Sequence, residues 1–182
     1  MTKDMNLVYG SDNLKLNLGC GDKIIKGFVN VDLVEKPGIV KIDLNKYPLP
    51  FRDNSCIYIL SSHLLEHLNE PEKFMLELHR ISKTGAIIDI YVPHYSLCAT
   101  YAELSHKRPG FSYLTFGSKH WNKEINRKFK LVSKKLYFTR TNLKFLNYIF
   151  NPLINLNPVI YERFFAFIFP CSQIHFKLKA LK

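Results

Sequence analysis

Lys15-Leu16-Asn17-Leu18-Gly19-Cys20-Gly21, followed closely by Phe28-Val29-Asn30-Val31-Asp32, limits what this chain can fold into more than any other stretch. A short apolar strand runs into a G-x-G turn, and a second strand ends in a lone carboxylate. Glycines at such a turn accept positive φ and let the backbone approach a ligand closely. A carboxylate at the tip of the neighbouring strand can accept from both hydroxyls of a ribose, as in doubly wound sheets. The pair therefore points to an α/β fold with a nucleotide-type ligand at one edge of a parallel sheet.

Spacing narrows the ligand. A dinucleotide site takes G-x-G-x-x-G opening a full helix, with its acidic residue about 20 positions further on. Asp32 follows Gly19 by only 13 positions, the third glycine is missing, and Asp22 to Lys26 leaves room for about one helical turn. A pyrophosphate cradle on a long helix does not fit that space. A cofactor with a ribose but no phosphate does, and S-adenosylmethionine is such a molecule.

Further blocks follow in order: Asp43-Leu44, Pro48-Leu49-Pro50-Phe51-Arg52-Asp53-Asn54-Ser55, Ser61-Ser62-His63-Leu64-Leu65-Glu66-His67-Leu68, Glu77-Leu78-His79-Arg80-Ile81 and Val92-Pro93-His94. With Leu16 to Gly21 and Gly27 to Asp32, they make the chain resemble the small bacterial methyltransferases of the Rossmann-like class I, type 11 kind. The likeness runs from about residue 14 to 110. It departs at Asn17, where methyltransferases commonly carry an acid, at Ile57, and at Thr84-Gly85-Ala86, where Pro-Gly-Gly is usual.

The resemblance implies a mostly parallel sheet with an antiparallel last strand, and S-adenosylmethionine as cofactor. Gly19, Cys20 and Gly21 would pass beneath its methionine part, with Asp32 and Leu33 at the ribose. Asp43 and Leu44 match the position near the adenine, though Asp43 also suits a turn cap. Ser61, Ser62 and His63 end the fourth strand, where sheets of this kind open their crevice.

Strands are predicted at 14–18, 28–32, 39–42, 56–61 and 86–92, each short and apolar as in a buried parallel sheet. A short first helix is predicted between the first two. Pro71 suits a first helical position, and Phe74, Leu78 and Ile81 recur at helical spacing, which predicts an amphipathic helix over 71–82. Alternation in 129–138 and 174–181 suits two last antiparallel strands.

At 182 residues the chain suits a single domain with a proper core. Its cysteines, Cys20, Cys56, Cys98 and Cys171, show no framework spacing, and no signal-peptide pattern opens the sequence. A cytoplasmic setting is the expectation. Residues 1–104 hold 11 Lys/Arg and 13 Asp/Glu; residues 105–182 hold 15 and 2. A near-neutral cofactor half, about 14–92, thus joins a strongly basic half, about 93–182, and such asymmetry implies an anionic partner.

Within the basic half, residues 141–171 are peculiar. Asn142 to Phe150 is aromatic and apolar, Asn-Pro pairs follow, and Phe164-Phe165-Ala166-Phe167-Ile168-Phe169 is the longest apolar run. Six residues cannot span a bilayer, which needs about 20. Two broken apolar helices between basic residues suit either a lid packed on the domain or a helix pair lying in a membrane interface.

Methyl transfer to a hydroxyl profits from a base, and histidine is suited to neutral pH. His94, after the fifth strand, and His106, in Ser105-His106-Lys107-Arg108, are the candidates, with Tyr95 a third; the family also carries a His-Lys-Arg stretch here. His63-Leu64-Leu65-Glu66-His67 also matches H-x-x-E-H, a zinc-protease pattern. Asn69-Glu70-Pro71 ends any helix there within a turn, so no metal is expected and His67 is read as packing on the short helix. The acceptor is expected to be an anionic small molecule, a sugar or a lipid-linked glycan precursor, methylated on O or N. RNA is the alternative, held by Lys119-His120-Trp121 and Lys134-Lys135-Leu136-Tyr137-Phe138 through phosphates and stacking. A degenerate fold that only binds or scaffolds is the third possibility.

Overall fold

A computed structural model describes residues 12–120, 122–141 and 143–182. Trp121 and Asn142 lie outside them, so their parts in the basic-aromatic stretch and the apolar segment go without a structural account. Among the described residues seven strands form one sheet: β1 (Leu14–Leu18), β2 (Val29–Asp32), β3 (Val40–Lys41), β4 (Cys56–Ser62), β5 (Ser82–Pro93), β6 (Phe129–Tyr137) and β7 (Gln173–Ala180). Their order is β3-β2-β1-β4-β5-β7-β6. Pairing is parallel from β3 through β5, and β7 runs antiparallel between β5 and β6. The order reverses between β1 and β4, which opens a crevice at their carboxyl ends.

Each expected strand is present. The fifth is longer than its apolar run because Ser82-Lys83-Thr84-Gly85 extends it at the start. Helix α1 (Pro71–Ile81) buries Pro71, Phe74, Met75, Leu78 and Ile81 on one face of the sheet, as its spacing requires. Its Arg80 donates to the Leu49 and Phe51 carbonyls, and its Glu77 accepts from the Leu49 amide. Two blocks of the resemblance are thus one structural clamp, the helix gripping the loop before β4. Two short helices follow, α2 (Ala99–Ala102) and α3 (Lys123–Lys128), then α4 (Asn147–Leu156) and α5 (Pro158–Phe164) before β7.

One expectation fails. No helix forms between β1 and β2; the chain makes turns, with Lys23 N–H donating to Cys20 O and Phe28 N–H to Ile25 O. The reason lies in two buried asparagines. Asn30 accepts from Ile25 N–H and donates to the Ile25 carbonyl, while Asn17 donates to Lys23 O and to Asn30 Oδ1. Side chains that satisfy the loop backbone in this way compete with helix formation. The sheet face above therefore lacks a helix cover and carries polar and aromatic groups instead. Asp89 accepts from Tyr58 and His175 at 2.5 Å each, and His175 stacks on Tyr91 with ring centroids 4.2 Å apart.

Candidate active site

The residues expected to hold a cofactor follow four strands that are neighbours in the sheet, β3, β2, β1 and β4. Register places Leu18 beside both Val31 and Ser61, Asp32 beside Lys41, and Ser62 beside Tyr91. The carboxyl ends of β1, β2, β3 and β4 therefore bring Gly19–Gly21, Asp32–Leu33, Asp43–Leu44 and Ser61–His63 to a common rim.

At that rim Gly19 has φ +66° and Gly21 φ +53°. A Cβ on Gly19 would sit 2.9 Å from the Leu64 side chain, so only glycine lets the turn settle onto the residue after His63. Asp32 ties the rim together: its Oδ2 accepts from Gly21 N–H and its Oδ1 from Leu33 N–H, each at 2.8 Å, and Oδ1 also from Val34 N–H at 3.3 Å. Carboxylate oxygens have about four lone-pair sites between them, so acceptor capacity remains. Burial, and then the nearby Asp32 charge, push the Cys20 thiol up, leaving it an uncharged lining group. Leu33 is exposed, whereas Leu44 is buried in the core. Asp43 caps its own turn by accepting from Asn45 N–H. Ser61 Oγ is buried without a partner.

The three candidate bases separate into two kinds. His94 is fully buried, and both its ring nitrogens are engaged. Ser96 N–H donates to Nδ1, so Nε2 carries the hydrogen and donates to Glu162 Oε1 at 3.1 Å. Glu162 also accepts from Ser112 Oγ and Tyr113 N–H, and its carbonyl accepts from Tyr95 Oη at 2.7 Å. Burial, then the Glu162 charge, push the Tyr95 hydroxyl up to about 12. His94 and Tyr95 are therefore both tied to α5 through Glu162. His106 differs, donating from Nδ1 to the Thr100 carbonyl at 3.0 Å. Its ring meets His67 with centroids 4.7 Å apart.

The H-x-x-E-H motif does not act as a helical unit. It leaves β4 through His63 at φ +55° into a 3-10 turn, Leu65–His67. His63 turns away, its Nε2 facing Gln173 Oε1 and the Arg140 guanidinium. Glu66, His67 and His106 come together instead, each with a ligand-type atom within 4.8 Å of the others.

Sequence reasoning missed two groups that shape the site. Asn147, Asn151 and Asn155 of α4 bond the outer edge of β6 and its exit: Asn155 Oδ1 accepts from Leu136 N–H, Asn151 Oδ1 from Phe138 N–H, and Asn147 Oδ1 from Thr139 N–H. Their i, i+4, i+8 spacing was the available signal. Glu162, one of only two acids after residue 104, is the other.

A family model described as a methyltransferase domain matches residues 26–90, from the entry to β2 through most of β5. Residues 26–90 thus carry a methyltransferase domain, and the whole sheet has the Rossmann-like fold of class I methyltransferase structures. The chain shares its fold with solved structures at low identity. A SAM-dependent methyltransferase from Archaeoglobus fulgidus aligns at TM-score 0.61 and 19% identity, covering 97% of this chain and 90% of that one. One from Mesorhizobium loti gives 0.57 and 12%, covering 97% and 95%. The N-methyltransferase NodS from Bradyrhizobium japonicum, in complex with S-adenosyl-L-homocysteine, gives 0.55 and 8%, covering 98% and 83%. No curated protein matches the chain by sequence.

The rim fits such a cofactor. The Gly19 turn has no room for a side chain, Asp32 keeps acceptor capacity, and the Ser61 hydroxyl is buried and unpartnered. Among the described residues no helix is long and apolar enough to cross a membrane.

Proposed function

We propose that the protein is an S-adenosylmethionine-dependent methyltransferase that transfers a methyl group to a hydroxyl of an anionic, lipid-linked acceptor, a glycan precursor in type, while resting on an anionic membrane surface. In this reading residues 14–92 hold the cofactor and residues 93–182 present the acceptor. Gly19, Cys20 and Gly21 line the methionine part, Asp32 and Leu33 face the ribose, Asp43 and Leu44 flank the adenine, and Ser61 to His63 close the rim. When bound, S-adenosylmethionine supplies a methyl on a sulfonium, already an activated leaving group, so the protein's task is alignment. His106 stands at the acceptor. His94 and Tyr95 act as positioning residues, since through Glu162 they fix the acceptor-side helices.

The observation that carries the membrane part is the direction in which 143–169 faces. Its asparagines and Glu162 turn inward to satisfy the sheet edge and His94, which leaves its large apolar side chains outside. Tyr148 is 87% exposed, Leu156 86% and Phe167 73%, with Ile149, Leu153, Phe164 and Ile168 also exposed. A contiguous apolar surface of this kind marks a membrane or partner contact. Between α4 and α5 lies an apolar cavity of about 410 Å³, lined by Phe150, Leu153, Ile160 and Phe169 among others, a size suited to a hydrocarbon chain. The excess of lysine and arginine after residue 104 complements anionic headgroups.

Two measurements test this. Calorimetric titration with S-adenosylhomocysteine, beside NAD as control, should show binding of the former alone. Asp32→Ala should weaken it about 10- to 150-fold, the loss of one charged hydrogen bond of roughly 1.5–3 kcal/mol; unchanged affinity would remove the ribose from Asp32. Flotation with phosphatidylglycerol vesicles should retain the protein, and Phe167→Ser with Ile168→Ser should release it. Salt-sensitive binding to random RNA without vesicle binding would favour an RNA acceptor instead, and concentration-dependent dimers lost in the same variant would make the surface a contact between copies.

A further inference from the structure

We infer that Glu66, His67 and His106 form a binding site for one divalent metal ion of the zinc type, at the acceptor end of the crevice. Glu66 is fully buried, and its Oε1 is held 3.2 Å from His63 Nδ1, while its Oε2 has no hydrogen-bond partner. A buried carboxylate oxygen left unpaired is costly, and a cation is the partner it lacks. The two histidines are prepared in the same sense. His67 Nδ1 faces the Ser105 carbonyl at 3.3 Å and, at 3.1 Å, the Ser105 hydroxyl, which itself donates to Glu103, so Nδ1 carries the hydrogen. His106 Nδ1 donates to the Thr100 carbonyl at 3.0 Å, and each Nε2 keeps a free lone pair. Metal-bound histidines are oriented by this kind of outer hydrogen bond.

The backbone holds the pieces in place. Lys107 N–H, at 2.8 Å, and Arg108 N–H both donate to the Glu66 carbonyl, locking the 105–108 segment onto the Leu65–His67 turn. Three ligand atoms within 4.8 Å of one another lie somewhat wider than the roughly 3.4 Å that tetrahedral bonds of about 2.0–2.1 Å need. Two imidazoles with one carboxylate suit zinc better than magnesium or calcium, which take oxygen sets. Three protein ligands leave a coordination position open, as catalytic rather than structural zinc sites do. Leu64, against which Gly19 packs, directly precedes the turn, so the cluster is joined along the chain to the cofactor rim. That it receives the acceptor oxygen rests on the function proposed above; the metal site itself does not.

The full-length protein, stripped with a chelator and dialysed, is titrated with Zn²⁺ by calorimetry and with Co²⁺ by visible absorption. The expected result is one ion per chain and an intense cobalt band. His67→Ala and His106→Ala should each weaken binding more than about 100-fold, and His63→Ala, which frees only the outer hold on Glu66, about 10- to 100-fold. His120→Ala, an exposed histidine outside the cluster, should bind as the parent does. Glu66→Gln keeps the shape and serves if an alanine variant misfolds, with far-UV dichroism as the check on folding. No uptake at millimolar Zn²⁺, or uptake unchanged in His67→Ala and His106→Ala, overturns the site. Metal bound without S-adenosylhomocysteine would leave this inference standing while the cofactor assignment fell.

Discussion

Helices α1 and α4 are of similar length and both amphipathic, yet they face opposite ways. Helix α1 turns Phe74, Met75, Leu78 and Ile81 into the core and Glu72 and Lys73 outward. Helix α4 buries only Ile154, turns Asn147, Asn151 and Asn155 toward β6, and leaves Tyr148, Ile149, Leu153 and Leu156 outside. What each helix packs against decides the matter. The face under α1 is a finished sheet whose hydrogen bonds are already paired, so it offers only apolar surface. Helix α4 meets the open edge of the last strand, where unpaired N–H and C=O groups need polar partners. Covering an edge with asparagines reverses the usual sense of an amphipathic helix, and its apolar face must find a partner elsewhere.

The difference can be broken from either side. The largest effect belongs to Phe74→Ala, which should cost about 3–5 kcal/mol in urea unfolding by opening a core cavity; a cost below about 1 kcal/mol would mean that α1 is not a core helix. Next comes Glu162→Ala, which removes a charged acceptor from His94, Ser112 and Tyr113, a loss of roughly 1.5–3 kcal/mol. Amide exchange should then speed in 143–169 while β1, β4 and β5 stay protected; equal loss in both regions would show that the segment is part of the core. Asn151→Ala should cost about 1–2 kcal/mol, since the Phe138 N–H loses its acceptor, and exchange at Phe138 reports it directly. Leu156→Ser should change stability by less than about 0.5 kcal/mol, as surface substitutions do. A larger loss would place that side chain in a contact of its own.

Much of this was legible in the chain. The alternation in β7 buries Ile174, Phe176, Leu178 and Ala180 as a period of two demands, and the glycine turn before Asp32 lies where its spacing put it. The short first helix was not legible. Residues 22–26 leave room for a turn of helix, but the Asn17–Asn30 pair, formed only once β1 and β2 lie side by side, holds the loop in another shape. His94 was legible as a residue at a strand end, and its engagement with Glu162 was not, because 68 positions separate them. The H-x-x-E-H spacing suggested a unit of its own five residues. Folding pointed His63 Nε2 at Gln173 and brought in His106 from the loop after α2.

By itself, then, the sequence determined what depends on neighbours along the chain: strand periodicity, the glycine turn with its carboxylate, and the two faces of each helix. Tertiary structure decided which face turns inward and which distant side chains meet. Periodicity states that a helix has an apolar and a polar side. Only the surface it lands on, a paired sheet face or an open strand edge, decides which of them it needs.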